Sequence, residues 1–177
     1  MKKTLLLVII AVVPILLQAQ FLQSKTLYAG YWGPKTIVKL STPDSSYQIE
    51  LLALAKRIKG TSKRIRPIRV NDKTYRLIRT EGVVHIQNEA EEALLMTSNR
   101  QMKAVLANGE FFRKNRNNRR HFTYLNQAGK PVIEARLRNN VFNHVIEITL
   151  HEDQPLLLAL CTAMLVKTAR EDIWLAM

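Results

Sequence analysis

The sequence contains one cysteine, Cys161, among its 177 residues. A single thiol cannot form an intramolecular disulfide, and it cannot supply the paired cysteines of a zinc site. The sequence also has no Gly-rich phosphate-binding motif and no Gly-x-Ser-x-Gly motif. We therefore expect a fold stabilised by its hydrophobic core, without the usual signatures of a nucleotide-binding or serine-hydrolase site.

The apolar run at the N terminus is too short to span a bilayer. Residues 5–17 follow the basic start Lys2-Lys3, are interrupted by Pro14 and precede the small residue Ala19. A bilayer core about 30 Å thick requires about 20 apolar residues in a helix, whereas this pattern is typical of a signal peptide. We predict a signal peptide over residues 1–19, cleavage near Gln20 and export to the periplasm, cell envelope or medium; a retained anchor is the less favoured alternative.

Negative charge is scarce, because 14 Asp and Glu residues face 27 Lys and Arg residues, for a net charge of +13. Without Lys2 and Lys3, 25 basic and 14 acidic side chains still give +11. Such a field attracts polyanions. Because the chain is predicted to be exported, the preferred partner is an anionic membrane surface or lipid headgroup. An acidic protein partner is the alternative, and nucleic acid is disfavoured.

The mature chain fits a single domain, and residues 20–62 form its first part. An aromatic lead-in with Tyr28, Tyr31 and Trp32 ends at the turn-forming pair Gly33-Pro34. This composition predicts a surface-packed arm or an edge strand rather than a ligand platform.

Residues 46–59 fit two kinds of secondary structure. Ser45 and Gln48 have the spacing of a helix capping box, and Gly60 can end a helix. Several apolar residues share one helical face, namely Tyr47, Leu51, Leu54, Ala55 and Ile58. We predict an amphipathic helix, although the alternation of Tyr47, Ile49 and Leu51 also fits a strand.

From residue 65 onward, short apolar or alternating runs are separated by turn residues, which predicts a β meander. The predicted strands cover residues 65–70, 74–79, 83–87, 93–96, 103–107, 110–113, 122–125, 132–137 and 144–150. The strongest turn signal is Asn108-Gly109, a pair that tolerates the positive φ angles of a tight hairpin. So many short, consecutive strands indicate a sandwich or a barrel.

The C-terminal part contains an apolar segment over residues 156–166, in which Thr162 is the only polar residue. Asp153 can cap a helix that has Pro155 in its first turn. A helix that is apolar all round must be buried all round, and eleven residues span only about 16 Å. We predict a helix over residues 155–168 inside a curved or closed sheet, a tail over 171–177, and an inert core thiol with a raised pKa at Cys161.

Four segments resemble the tubby-like fold of tubby proteins, phospholipid scramblases and LURP-one-related proteins. They are residues 73–77 (KTYRL), 111–115 (FFRKN), 121–133 with an aromatic strand and a Gly-Lys turn, and the helix over 156–168. The resemblance covers about residues 63–170 and implies an α+β, mostly antiparallel β fold, with a β barrel or strongly curved sheet around the C-terminal helix. Calcium dependence, scrambling and phosphoinositide recognition are not carried over, because the sequence has no matching residues.

Two sets of cations are candidate anion-binding sites. Five cations lie close together between two predicted strands: Arg113, Lys114, Arg116, Arg119 and Arg120. Arginine forks on such a loop can each bind two phosphate oxygens, while a solvated, mobile loop is the competing interpretation. The second set is predicted to point outward together from strands 65–70 and 74–79 and consists of Lys63, Arg64, Arg66, Arg69, Lys73, Arg76 and Arg79, with Arg66, Arg69 and Arg76 as the site candidates. On these strands Ile65, Ile68, Val70, Leu77 and Ile78 are predicted to face inward, and the competing interpretation is that the cations only protect exposed strands.

Catalytic patterns are weak. His85, His121, His144 and His151 have no metal-ligand spacing, and the acidic residues near Glu91 fit a solvated turn. We predict no catalytic residue, no metal and no cofactor. The sequence favours an exported, non-enzymatic binding or envelope-associated module; a structural or protein-interaction module is the alternative, and a hydrolase is less favoured.

Overall fold

The computed structural model describes residues 25–31, 37–43, 47–52, 55–116, 118–139 and 144–176. The predicted signal peptide, the Trp32 to Pro34 part of the lead-in and the possible helix cap at Ser45 lie outside these residues. The described strands are β1 (Lys25–Tyr31), β2 (Ile37–Ser41), β3 (Gln48–Leu52), β4 (Lys56–Arg57), β5 (Arg64–Val70), β6 (Lys73–Thr80), β7 (Val83–Gln87), β8 (Ala93–Thr97), β9 (Lys103–Leu106), β10 (Phe111–Arg116), β11 (His121–Leu125), β12 (Pro131–Asn139) and β13 (His144–Leu150). Helix α1 (Pro155–Ala176) follows them.

All thirteen strands belong to one sheet in the order β3-β2-β1-β13-β12-β11-β10-β9-β8-β7-β6-β5-β4. From β5 to β13, each strand lies beside the next one in the chain, which confirms the predicted meander. The β9–β10 hairpin turns at Asn108-Gly109, where Gly109 has a φ of 87°. The prediction of a mostly antiparallel sheet with a C-terminal helix is confirmed.

Strand β1 is an internal strand rather than the predicted arm or edge strand. It pairs with β13 over seven residues, from Lys25↔Leu150 to Tyr31↔His144, and its other side pairs with β2 at Tyr28↔Ser41. The aromatic composition of the segment carried no information about this position, because the partner β13 lies more than a hundred residues away in the chain.

The sheet curves so strongly that its two end regions pair. β3 is bonded to β2 on one side and pairs with β5 on the other through Ile49↔Val70, Glu50↔Arg69 and Leu51↔Ile68. Curvature places one face of the sheet inside, where side chains from distant strands can surround the same volume.

The predicted amphipathic helix over residues 46–59 is wrong. This segment contains β3 and the two-residue strand β4. Tyr47, Ile49 and Leu51 are buried and alternate with Gln48 and Glu50, which have more solvent contact. Strand periodicity prevails because both edges of β3 obtain backbone hydrogen-bond partners in the folded protein.

Helix α1 is buried against the inner face of the sheet and contacts β12, β13 and β5. Its residues 157–161 have no exposed surface, and the hydroxyl of Thr162 donates to the carbonyl oxygen of Leu158 at 2.9 Å. None of the helices in the described part of the chain has the length and apolarity that a bilayer span requires.

The predicted C-terminal end of the helix needs correction. Helix α1 begins at Pro155 as predicted but continues to Ala176, so the predicted tail over 171–177 is helical through residue 176. An ion pair between Lys167 and Glu171 at 3.3 Å supports the added turns. Just before the helix, Asp153 accepts a hydrogen bond from the hydroxyl of Tyr47 at 2.5 Å, which links the residue that precedes β3 to the start of α1.

Candidate functional site

A cavity of about 730 Å³ lies between strands β4 to β7 and the middle of α1, from Leu160 to Glu171. Its apolar wall combines Leu77 and Val84 from the sheet with Leu160, Ala163 and Met164 from the helix. Small-molecule sites usually have volumes of about 300 to 1,000 Å³ and mostly apolar walls with a few polar groups. The cavity therefore has the size and lining of a ligand site.

The remaining wall of the cavity is strongly basic. Seven of its fifteen lining residues are cations and one, Glu171, is an anion. Four cations come from the sheet, one from the connection before β11 and two from the helix: Arg57, Arg64, Arg66, Arg79, Arg119, Lys167 and Arg170. Since Glu171 already pairs with Lys167, the net field inside the cavity is positive.

Three of these arginines form a row across adjacent strands. Arg57 pairs with Arg64 between β4 and β5, and Arg64 pairs with Arg79 between β5 and β6. Residues directly opposite each other on neighbouring strands share a face and lie about 5 Å apart at Cβ, where like charges repel. No carboxylate of the described residues forms an ion pair with any of the three, so a bound anion would relieve their repulsion.

Arg66 crosses from the sheet to the helix. It is 7% exposed, and its Nη1 donates to the carbonyl oxygen of Ala163 at 3.2 Å. This contact ties β5 to α1 beside the cavity and places a buried positive charge in its wall.

The predicted outward orientation is wrong for Arg66, and also for Arg64 and Arg79, which share its face of the sheet and line the cavity. On β5, the inner face carries Arg66 with the buried Ile68 and Val70, while Arg69 points away. Arg69 pairs with Glu50 at 3.4 Å, and Arg76 pairs with Glu91 at 3.0 Å.

The predicted inward positions of Ile65 and Ile78 are also wrong. The two residues oppose each other across β5 and β6 on the outer face, where they are half-buried. Ile68 and Leu77 are buried on the inner face, so Ile65 and Ile78, which occupy the alternate positions of the same strands, face outward.

The cluster over residues 113–120 is not one loop. Strand β10 extends through Arg116, which pairs with Phe122 of β11. Arg113 is exposed and lies 5.5 Å from the centre of the Phe111 ring. Lys114 is buried, with its Nζ 4.0 Å from the centre of the Phe122 ring.

The other two cations of this cluster hold the C-terminal part of α1. Arg119 Nη2 lies 2.6 Å from Asp172 Oδ1, and Arg120 Nε lies 3.0 Å from Asp172 Oδ2. The Asp172 side chain is only 4% exposed. This pairing contradicts the interpretation of a freely solvated loop. Arg119 also lines the cavity, whereas Arg113, Lys114 and Arg120 do not.

A strained turn contributes Gln101 to the cavity wall. Arg100 and Gln101 have φ angles of 60° and 53°, in the left-handed region that costs a non-glycine residue free energy. The side-chain amide of Gln101 donates to the carbonyl of Gly82 at 2.9 Å, and its backbone carbonyl accepts from the hydroxyl of Tyr124 at 2.7 Å. These two bonds fix the amide at the cavity wall.

The sequence prediction included Arg64 and Arg79 in its second set of cations but placed them on the outer face, so it did not recognise the arginine row. A two-residue turn at Asn71-Asp72 sets the register of the hairpin and thereby places Arg64 opposite Arg79. The third member, Arg57, lies on the short strand β4. The sequence prediction had assigned this segment to a helix, so it gave no reason to place Arg57 beside Arg64. Nothing in the sequence marked Gln101.

The ionisable groups with shifted pKa values lie outside the cavity. Burial raises the pKa of Cys161 to about 12, and burial also raises the pKa of Tyr124. The hydrogen bond with His121 is the largest cause of the lowered pKa of Glu134, and the neighbouring Arg136 lowers this pKa further. Within the described ranges, no three His, Cys, Asp or Glu side chains are grouped as metal ligands.

The fold and the site together define a class: an antiparallel β protein with a basic cavity beside its buried helix. No protein-family model, no curated protein and no solved structure matches this chain.

Proposed function

We propose that this protein is an exported, non-enzymatic module that binds anionic lipid headgroups in the cavity between the sheet and α1. The observation that carries the proposal is the row of Arg57, Arg64 and Arg79 along that cavity. Guanidinium groups bind phosphate oxygens through paired hydrogen bonds, and three side by side offer a phosphate several donors.

The tubby-like architecture is part of this proposal. Twelve strands excluding the two-residue β4, the pairing of β3 with β5 and a buried C-terminal helix support it. Export is proposed from the predicted signal peptide over residues 1–19. N-terminal sequencing of the native protein should then begin near Gln20, whereas an intact Met1 in the membrane fraction would indicate an anchored protein.

Vesicle flotation tests headgroup binding. We expect binding to phosphatidylcholine vesicles to rise with the fraction of phosphatidylglycerol and to fall with salt. In the double variant Arg64→Gln/Arg79→Gln, affinity should fall by at least about tenfold, because each cation near an anionic surface contributes about 1 kcal/mol.

Arg69→Gln/Arg76→Gln is the matched control. It removes two charges from the same strands, β5 and β6, but from side chains that point away from the cavity and already pair with Glu50 and Glu91. We expect a smaller loss of binding in the control. Equal losses would show that only net charge matters and would contradict a site at the arginine row.

A further inference from the structure

The cavity has an apolar wall as well as a row of cations, which bears on the kind of anion it accepts. We infer that its ligand is a single-chain anionic amphiphile, such as an alkyl phosphate or a lysophospholipid, with the phosphate at the arginine row and the alkyl chain in the cavity. The inference deepens the proposed function and rests on it, since both concern the same cavity.

Charge and polarity select an amphiphile over simpler ligands. An uncharged apolar ligand would leave the row of Arg57, Arg64 and Arg79 uncompensated. A small inorganic anion would compensate the row but would not cover the apolar surface that Leu77, Val84 and Met164 still present to the cavity, although burying apolar surface is favourable. A ligand with both a phosphate and an alkyl chain matches both parts of the lining.

The shape of the site favours uptake of the chain over contact with a flat membrane. Ala163 and Met164 line the cavity from α1, whereas the arginine row lies on the sheet, so a headgroup that stayed in a bilayer would bind the arginines without using the apolar surface of the helix. The bond from Arg66 to the carbonyl of Ala163 links sheet and helix beside this space. The cavity of about 730 Å³ between them leaves room for an alkyl chain.

Binding of monomeric n-alkyl phosphates, measured by calorimetry below their micellar concentrations, tests this inference. Each added methylene buried in the cavity should tighten binding by about fourfold, the equivalent of about 0.8 kcal/mol. The gain should stop once the chain fills the cavity. Methyl phosphate reports the contribution of the headgroup alone.

A larger side chain that fills the cavity should remove the dependence of binding affinity on the length of the alkyl chain. Ala163→Phe places a ring in the apolar part from the helix side, and we expect it to abolish the chain-length gain while methyl phosphate still binds. If thermal melting shows that this variant does not fold, Val84→Phe fills the same space from the sheet. Ile78→Phe, on the outer face of β6, is the control that should keep the gain.

The outcomes separate the inference from the proposed function. Equal affinity for methyl and decyl phosphate, together with binding to anionic vesicles, would overturn the inference and leave headgroup binding intact. A chain-length gain that survives both Ala163→Phe and Val84→Phe would indicate adsorption elsewhere and would also overturn it. Failure to bind either alkyl phosphates or anionic vesicles would overturn both.

Discussion

Asp172 offers a sharp test of how the C-terminal half of α1 is held. Its carboxylate is 4% exposed and binds Arg119 and Arg120, whose side chains are 47% and 41% exposed. The pair can be broken from either side, by Asp172→Asn or by Arg119→Gln/Arg120→Gln. We predict that the second change destabilises the protein more than the first.

The difference follows from which charge remains. With both arginines removed, a buried carboxylate has lost its partners, which costs about 3–5 kcal/mol. With the aspartate neutralised, the two guanidinium groups are already half in water and rehydrate, and the amide oxygen that replaces the carboxylate can still accept a hydrogen bond. That loss should be about 1.5–3 kcal/mol, the net value of a hydrogen bond to a charged group.

Urea unfolding followed by circular dichroism measures these losses as differences in the free energy of unfolding. Thermal melting gives a second measure, since a chain of this length loses about 2–4 °C in Tm per kcal/mol. The control is Arg69→Gln/Arg76→Gln, which also removes two positive charges but breaks only exposed pairs, each worth about 0–1 kcal/mol.

A triple variant completes the test. Asp172→Asn combined with Arg119→Gln/Arg120→Gln leaves no buried charge at this position, so it should be more stable than the double arginine variant. If the double arginine variant were no less stable than Asp172→Asn, or the triple variant were less stable than the double, the buried carboxylate would not be the source of the cost. The pairing of Asp172 with the two arginines would then be a surface contact.

Two further predictions concern ionisable groups away from the cavity. Cys161 should resist thiol reagents in the native protein, because the thiol has no exposed surface and burial raises its pKa to about 12; labelling should follow unfolding in urea. Glu134 has a lowered pKa, so its contribution to stability is complete above its unfolded-state pKa and is lost as the pH falls through the folded-state value. Glu134→Gln should therefore lose less unfolding free energy than the wild type between about pH 5 and about pH 3.

Each of these predictions has a direct check. Ser62→Cys adds an exposed cysteine that should react at once, and equally rapid native labelling of Cys161 would contradict a buried helix. For Glu134, identical acid-side losses in wild type and Glu134→Gln would mean that the bonds from His121 and Arg136 do not stabilise the carboxylate.

Much of the meander could be predicted because its information is local. The predicted strands 83–87 and 144–150 have the observed bounds, since an apolar alternation with turn residues at both ends determines a strand without reference to the rest of the chain. The start of α1 at Pro155 and the burial of its apolar residues followed in the same way. Residues 46–59 fitted two periodicities, and pairing of β3 with β2 and β5 decided between them.

In the candidate site, too, some features were determined by the local sequence and others only by the fold. The sequence determined that the surface is basic and placed Arg64, Arg66, Arg79 and Arg119 among the candidate cations. It did not determine which cations share a space, because each lies on a different element and its facing depends on sheet register and curvature. Only the tertiary structure moved Arg66 to the inner face, paired Arg119 and Arg120 with a buried aspartate of the helix, and aligned Arg57, Arg64 and Arg79 along one cavity. Side-chain type is local, whereas proximity between distant strands is created by folding.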